Sequence, residues 1–364
     1  MSTNNFERVS VSGDGVDQGG SYGAEISGDG RYVAFLSTDD TLVEGDTNEQ
    51  TDAFVRDRVA RRTIRVSIAS DGTQANDATD HVTISSDGRF VVFTSWASNL
   101  VPGDTNSQAA NQDPEPAQEG ENPRELGADI FLHDRSTGRT ERLSVSSSGK
   151  QGNNFSWGGS ISAGGRYVVF GSHASNLVNG DTNSRYDVFL RDRLARTTKR
   201  ISVSSAEHQG NGDSWNPSIS ADGKLVAFVS IASNLVAGDR NGKNDVYVRD
   251  LRTGTTERIS GDRKDANGAS LDPAISADGR YITFWSTAAN LVSGDTNHKH
   301  DVFLHDRTSH RTQCLSMVSG KTGNGDSTAP AISANGAVIV FESWASNIVA
   351  DDADHTADVF VSSW

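Results

Sequence analysis

The chain has one cysteine, Cys314, two methionines and seven prolines in 364 residues. A single thiol cannot close an intrachain disulfide, so no cross-linked framework holds the fold. No run of about 18 apolar residues occurs, which excludes a membrane-spanning helix. The first residues, MSTNNFERVS, lack the apolar core of a signal peptide. Basic residues number 33 against 48 acidic ones, for a formal net charge of −15. That balance disfavours nucleic acid, which needs clustered Lys and Arg. It suits a chain that stays in solution or holds cations. Long polar stretches and 36 glycines argue against helices.

What the chain does have is a repeat. The stretch ISADG, or a close variant, begins at Ile26, Ile84, Ile161, Ile219, Ile275 and Ile332, at intervals of 58, 77, 58, 56 and 57 residues. The long interval holds an acidic, Pro-rich segment without periodicity. We read residues 107–128 as a flexible surface insertion in the second unit.

Each unit reads as four short strands. In the fourth copy, PSIS is the first, ADG a tight turn and KLVAFVS the second. A loop of about 14 residues, IASNLVAGDRNGKN, leads to DVYVRD, the third; LRTGT turns the chain into TERIS, the fourth. The second and third strands are apolar at nearly every position, as in strands covered on both faces. Four-stranded units at this period point to a β-propeller. The chain opens on FERVSVSG, which matches a fourth strand, and closes on DVFVSSW, a third strand. The expected fold is all-β: a single six-bladed propeller domain over residues 1–364, with four-stranded antiparallel blades. The ring is closed by the N-terminal strand completing the last blade.

ISGDGRYVAF and ISADGKLVAF, followed by DVFLRD, resemble the WD40-like (PD40) repeats of TolB-like six-bladed propellers. The resemblance covers the whole chain except the insertion. The Pro usual in the family's SPDG turn is absent here, and the loop between strands two and three is longer than in the simplest members. The resemblance implies an extracytoplasmic or secreted setting. It leaves function open, because such propellers include periplasmic interaction proteins, peptidase side domains and polysaccharide lyases.

Strands alternate in direction, so the loop between strands two and three and the loop leading to the next unit share one end of each blade. That long-loop end is the candidate binding surface. It carries Asp, Asn and Asp at fixed places: Asp46, Asn48, Asp52; Asp104, Asn106, Asp129; Asp181, Asn183, Asp187; Asp239, Asn241, Asp245; Asp295, Asn297, Asp301; and, with Asp for Asn, Asp352, Asp354, Asp358. The residues between them vary. Oxygens at alternate positions, closed by a later carboxylate, are what calcium takes, at up to one ion per blade. Asx-turns account for the same residues without metal, and both readings stand. The loop between blades carries Asn153 with Trp157 and Asn211 with Trp215. A Trp beside Asn can stack on a sugar, or wedge between blades.

GDSW at 212–215 and GDST at 325–328 resemble a serine-esterase box, but no helix follows either. HKHD at 298–301 reads as a solvated loop. No catalytic residue is assigned, since the repeats look near-uniform and an enzyme needs residues that break them. The expected function is a non-enzymatic, calcium-stabilised interaction scaffold, acting as a monomer, that presents its long-loop face to a protein or glycan partner. The alternative is a propeller enzyme, a lyase or glycosidase, acting on polysaccharide.

Overall fold

The computed structural model describes residues 7–12, 19–106, 127–261, 264–318, 320–349, 352 and 356–363. Nearly all of the 107–128 insertion lies outside them. Every regular element is a β-strand. Each blade is a sheet in which neighbours in sequence are neighbours in space, with four strands in blades one to five and three in the sixth. Blade four runs Ser214–Ile219, Leu225–Ser230, Asp245–Asp250 and Thr255–Arg258. All its pairings are antiparallel. The fold class is the six-bladed β-propeller expected from the repeat.

The chain divides into two compact units. One comprises Met1–Val168, Ala174–Asn179 and Arg191–Thr198; the other comprises Val169–His173, Gly180–Leu190 and Lys199–Trp364. Blades one and two lie in the first and blades four to six in the second.

The apolar second and third strands are buried along almost their whole length in blades one to five. In the first unit, Leu36, Val55 and Ala53 of blade one pack with Val91, Phe93 and Phe131 of blade two. In the second, Ala227, Val246 and Val248 of blade four pack with Ile282, Phe284 and Phe303 of blade five. Every blade also stacks one aromatic ring of its second strand on one of its third. The pairs are Phe35–Phe54, Phe93–Phe131, Phe170–Phe189, Phe228–Tyr247, Phe284–Phe303 and Phe341–Phe360, at 5.7–6.0 Å. Such pairs add about 0.5–1.5 kcal/mol each beyond the area they bury.

The SxDG turns are built by their own side chains. Ser27 Oγ donates to Asp29 Oδ1 (2.6 Å) and accepts from the Tyr32 amide (2.9 Å). The glycine takes positive φ, +70° at Gly88 and +69° at Gly165. It also seats the turn on the blade before: a Cβ at Gly88 would run into the Tyr32 ring, and one at Gly165 into Phe90. The Arg after the glycine forms a fork with the Asp that ends strand three. Arg31 Nε and Nη2 lie 3.0 and 2.7 Å from Asp57, and Arg89–Asp134, Arg166–Asp192 and Arg280–Asp306 repeat the pair. The Arg–Asp and His–Asp dipeptides closing strand three are structural in this sense.

In blades two to four a threonine of strand four links the blade to the segment after the fourth strand of the previous one. Thr140 Oγ1 donates to the Ile68 carbonyl (2.5 Å), Thr198 to Val145 (2.5 Å) and Thr256 to Val203 (2.6 Å). In blade one, Thr63 makes this bond to Val11 (2.6 Å). The N-terminal segment therefore occupies the place that the end of a fourth strand holds elsewhere, as its likeness to TERLSVSS implies. The expected strand at 1–13 lies partly outside the described residues.

Candidate functional site

In blade three the Asp–Asn–Asp loop closes around an arginine from the fourth strand. Arg200 Nη1 lies 3.0 Å from Asp181 Oδ1 and 2.9 Å from Asp187 Oδ2. Asn183 Nδ2 donates to Asp187 Oδ2 (2.8 Å) and to the Gly210 carbonyl (3.1 Å), while its Oδ1 accepts from the Arg185 amide (3.1 Å). Ser202 Oγ donates to Asp187 Oδ1 (2.5 Å). The loop is thus tied to strand three, strand four and the segment beyond.

The pattern recurs. Arg65 holds Asp46 and Asp52, and Asn48 donates to Asp52 (2.9 Å). Arg142 holds Asp104 and Asp129, with Gln151 Nε2 donating to Asp104, Asn106 and Asp129. Arg258 holds Asp239 and Asp245, and Asn241 donates to Asp245 (2.8 Å). These arginine side chains are only 9–10% exposed, so the guanidinium is a buried cation shared by two carboxylates.

Those residues do not fit a calcium ion in the first four blades. A guanidinium already bridges the two carboxylates. In blades one, three and four the Asn turns its N–H donor toward the second Asp and commits its oxygen to the backbone two residues on. Calcium wants oxygens alone. Among the described residues, no group of three or more His, Cys, Asp or Glu side chains is arranged to hold a metal.

Blade five departs from the pattern. Cys314 stands opposite Phe303, where Arg65, Arg142 and Arg258 stand opposite Phe54, Phe131 and Tyr247. Asp301 still accepts from Ser316 (2.5 Å) and Asn297 (2.8 Å). Burial raises the carboxyls of Asp295 and Asp301, helped by the charge of Asp301 at the first and of Asp326 at the second. Burial also pushes the Cys314 thiol up to about 12, so it is a packed thiol and no nucleophile. In blade six Asp354 lies outside the described residues, Asp352 is half-buried and Asp358 is exposed.

Even beside an arginine, burial outweighs the ion pair at six aspartates, Asp46, Asp52, Asp104, Asp129, Asp181 and Asp245, most strongly at two of them. Asp129 and Asp245 are pushed up to about 6. A carboxyl raised in the folded state stabilises the fold below its unfolded value, near 4, and loses that contribution as pH rises through about 6. Asp57, pulled down to about 2 by Arg31, acts in the opposite sense and loses its contribution below pH 4. Stability is therefore expected to peak near pH 4–5 and decline toward pH 7. Asp245→Asn should flatten the decline in melts taken from pH 3.5 to 7.5; an unchanged slope would contradict the assignment.

The four residues expected to bind ligand are placed as follows. Asn153 is spent on a clamp: its Nδ2 donates to Ser175 Oγ (3.1 Å) and its Oδ1 accepts from the Ser175 amide (2.9 Å). Asn211 does the same with Ser233 (3.0 and 2.9 Å). Trp157 packs edge-on against Trp96, with ring centroids 5.7 Å apart. Trp215 is half-buried opposite Val229. Asn153 and Trp157 lie in the first unit, Asn211 and Trp215 in the second.

A different cluster, which breaks the repeat, gathers in the second unit. The first strand of each blade carries one left-handed residue where most show a register slip: Gly23, His81, Gly158, Asn216, Asp272 and Ala329, with φ of +45 to +67°. Bulges of this kind re-aim a side chain. Asn216 Nδ2 donates to Asp272 Oδ1 (2.6 Å), and Trp285 Nε1 donates to Asp272 Oδ2 (2.6 Å). The Trp285 ring packs on His300 with centroids 4.7 Å apart. The His300 amide donates to Asp326 Oδ1 (2.9 Å). His300 and Asp326 then line a pocket of about 410 Å³ with Lys299, Gly325, Thr328 and Trp344. Sequence reasoning missed this cluster because its members follow no common residue type.

No known family's sequence profile matches the chain, and no curated protein sequence matches it. Solved structures do. The chain is similar to the β-propeller domain of the trilobed protease from Pyrococcus furiosus, with 9% identity, a TM-score of 0.55, and coverage of 94% of this chain and 80% of that one. A prolyl endopeptidase structure aligns with 95% of this chain and 41% of its own length, at 10% identity and a TM-score of 0.56. TolB from Acinetobacter baumannii aligns over 80% of this chain, at 18% identity and a TM-score of 0.44, and the chain spans about half (53%) of its length. At these identities the likeness is one of fold, and what it shows is a β-propeller, built here from six blades.

Proposed function

We propose that this chain is a non-enzymatic binding scaffold whose ligand sits at the long-loop ends of blades five and six. One observation carries the reading. In blades one to four the polar side chains of the Asp–Asn–Asp loops are consumed in holding the loops, whereas Lys299, Asp326 and Thr328 line a pocket beside the exposed Trp344 ring. Binding residues on loops held by a rigid scaffold are the common arrangement. The peptidase likenesses belong to chains with more than a propeller and lend this one no active site.

The alternative, an enzyme acting on polysaccharide, has its own test. The purified chain, incubated with pectic, alginate and xylan polymers, is expected to release neither unsaturated products nor new reducing ends. Sustained release of either, abolished by Asp272→Asn or Asp326→Asn, would overturn the binding-only reading.

Calcium is carried forward only for the loop of Asp295, Asn297 and Asp301, where no arginine stands between the carboxylates. Cys314→Arg should restore that cation. It is expected to raise the melting temperature in chelator, as consensus replacements commonly do, and to abolish any response to millimolar calcium. If the wild type binds no calcium and chelator leaves its melt unmoved, the loop is a turn alone.

A further inference from the structure

Resting on the binding reading above, we infer that the Trp344 pocket is a carbohydrate subsite that seats one pyranose ring of a hydroxyl-rich glycan. Trp344, just past the second strand of blade six, is 43% exposed, as is Ile231 at the same place in blade four. The same residue type at the same place in blade two, Trp96, is packed against Trp157. Blade six thus sets an indole beside a concave, largely apolar wall that carries a few polar side chains.

That wall is preorganised. Asp326 is held by the His300 amide, and its own backbone carbonyl accepts from the Trp344 amide (2.9 Å). His300 is braced by Trp285, which is fixed in turn by Asp272 and Asn216. Gly325 lies so close to the Trp344 and Ala345 backbone that a Cβ would collide with it, which keeps the floor of the pocket open. Lys299 is exposed at the rim.

A sugar ring meets these features in kind. Its C–H face stacks on an indole, and its equatorial hydroxyls both donate and accept. Asp326 offers an acceptor, Lys299 a donor and Thr328 both. Few, well-placed polar groups around an apolar surface is the make-up of small-ligand sites. A protein partner would need a contact of roughly 800 Å² per side, about 20–30 residues, well beyond the six that line this pocket. Opposite charges at Lys299 and Asp326 leave no single-sign field for a polyanion, so the site suits a neutral sugar.

The test is titration of the full chain with gluco-, manno- and galacto-configured trisaccharides, read by tryptophan fluorescence and saturation-transfer NMR. At least one is expected to bind and to show transfer to ring protons of a single residue. Trp344→Ala should weaken it tenfold or more, Trp344→Phe less, and Asp326→Asn and Lys299→Ala severalfold, with melting temperatures unchanged. Trp157→Ala should leave binding intact. No binding by any trisaccharide, or binding indifferent to Trp344→Ala, overturns the subsite. If Trp344→Ala instead abolishes capture of a protein partner while sugars never bind, the subsite fails and the scaffold reading survives. If the sugar binds and is cleaved, the subsite stands and the non-enzymatic reading fails.

Discussion

Replacing Arg200 by leucine is expected to destabilise the protein by about 3 kcal/mol at pH 7, measured by denaturant unfolding. The guanidinium is 9% exposed and sits 3.0 and 2.9 Å from Asp181 and Asp187. Removing one partner of a buried ion pair costs roughly 3–5 kcal/mol, because the remaining charge is left uncompensated. The lower figure applies here because Ser202 and Asn183 still donate to Asp187. Blade five shows what such a pair does without its arginine: burial raises both carboxyls. The penalty of Arg200→Leu should therefore carry a pH signature. Carboxyls raised in the folded state are protonated at low pH and charged above it, so the penalty shrinks toward pH 4.5 and is full by pH 7. Adding Asp181→Asn should recover part of the loss at pH 7. A penalty that does not change with pH would mean that the arginine acts through its packed methylenes and not its charge.

Gly88→Ala should cost about 3 kcal/mol, and the expected size can be split by a control. Gly88 takes φ of +70°, where a Cβ costs about 1–2 kcal/mol. The new Cβ would also drive into the Tyr32 ring. That ring cannot simply swing aside, because Arg31 and Arg135 lie on it at 4.9 and 4.1 Å. Overpacking of this kind costs about 1–3 kcal/mol. Gly138 shares the backbone conformation, with φ of +71°, but has open space around its Cβ position. Gly138→Ala should show only the smaller, backbone part. Equal losses for the two variants would show that Tyr32 yields and that the turn does not depend on close seating.

The same contrast separates what could be read along the chain from what could not. The repeat at Ile26, Ile84, Ile161, Ile219, Ile275 and Ile332, the strand order and the tight turns were legible, because each rests on neighbours within about ten residues. The long-loop end was legible too, since strand alternation alone places it. The role of the Asp–Asn–Asp loops was not. Read locally, those residues suit a cation, and in four blades they do surround one. The cation is an arginine 13 residues beyond the second Asp and 19 to 38 beyond the first, whose approach depends on the fourth strand pairing with the third. Likewise the clamps of Asn153 to Ser175 and of Asn211 to Ser233, across 22 residues of chain, could not be read from the sequence.

By itself, then, the sequence determined the fold class, the number of blades and the end of each blade at which the long loops lie. Periodicity and turn chemistry act over short range and repeat six times, so each copy corroborates the others. Only the tertiary structure decided which polar residues are committed to holding loops and which line a pocket. Asn216, Asp272, Trp285, His300, Asp326 and Trp344 come from three blades, share no motif and span more than a hundred residues. They meet because bulged first strands turn their side chains at one level and adjacent blades pack closely enough for hydrogen bonds of 2.6 Å between them. Such convergence is a property of packing between repeats, and no pattern within a single repeat encodes it.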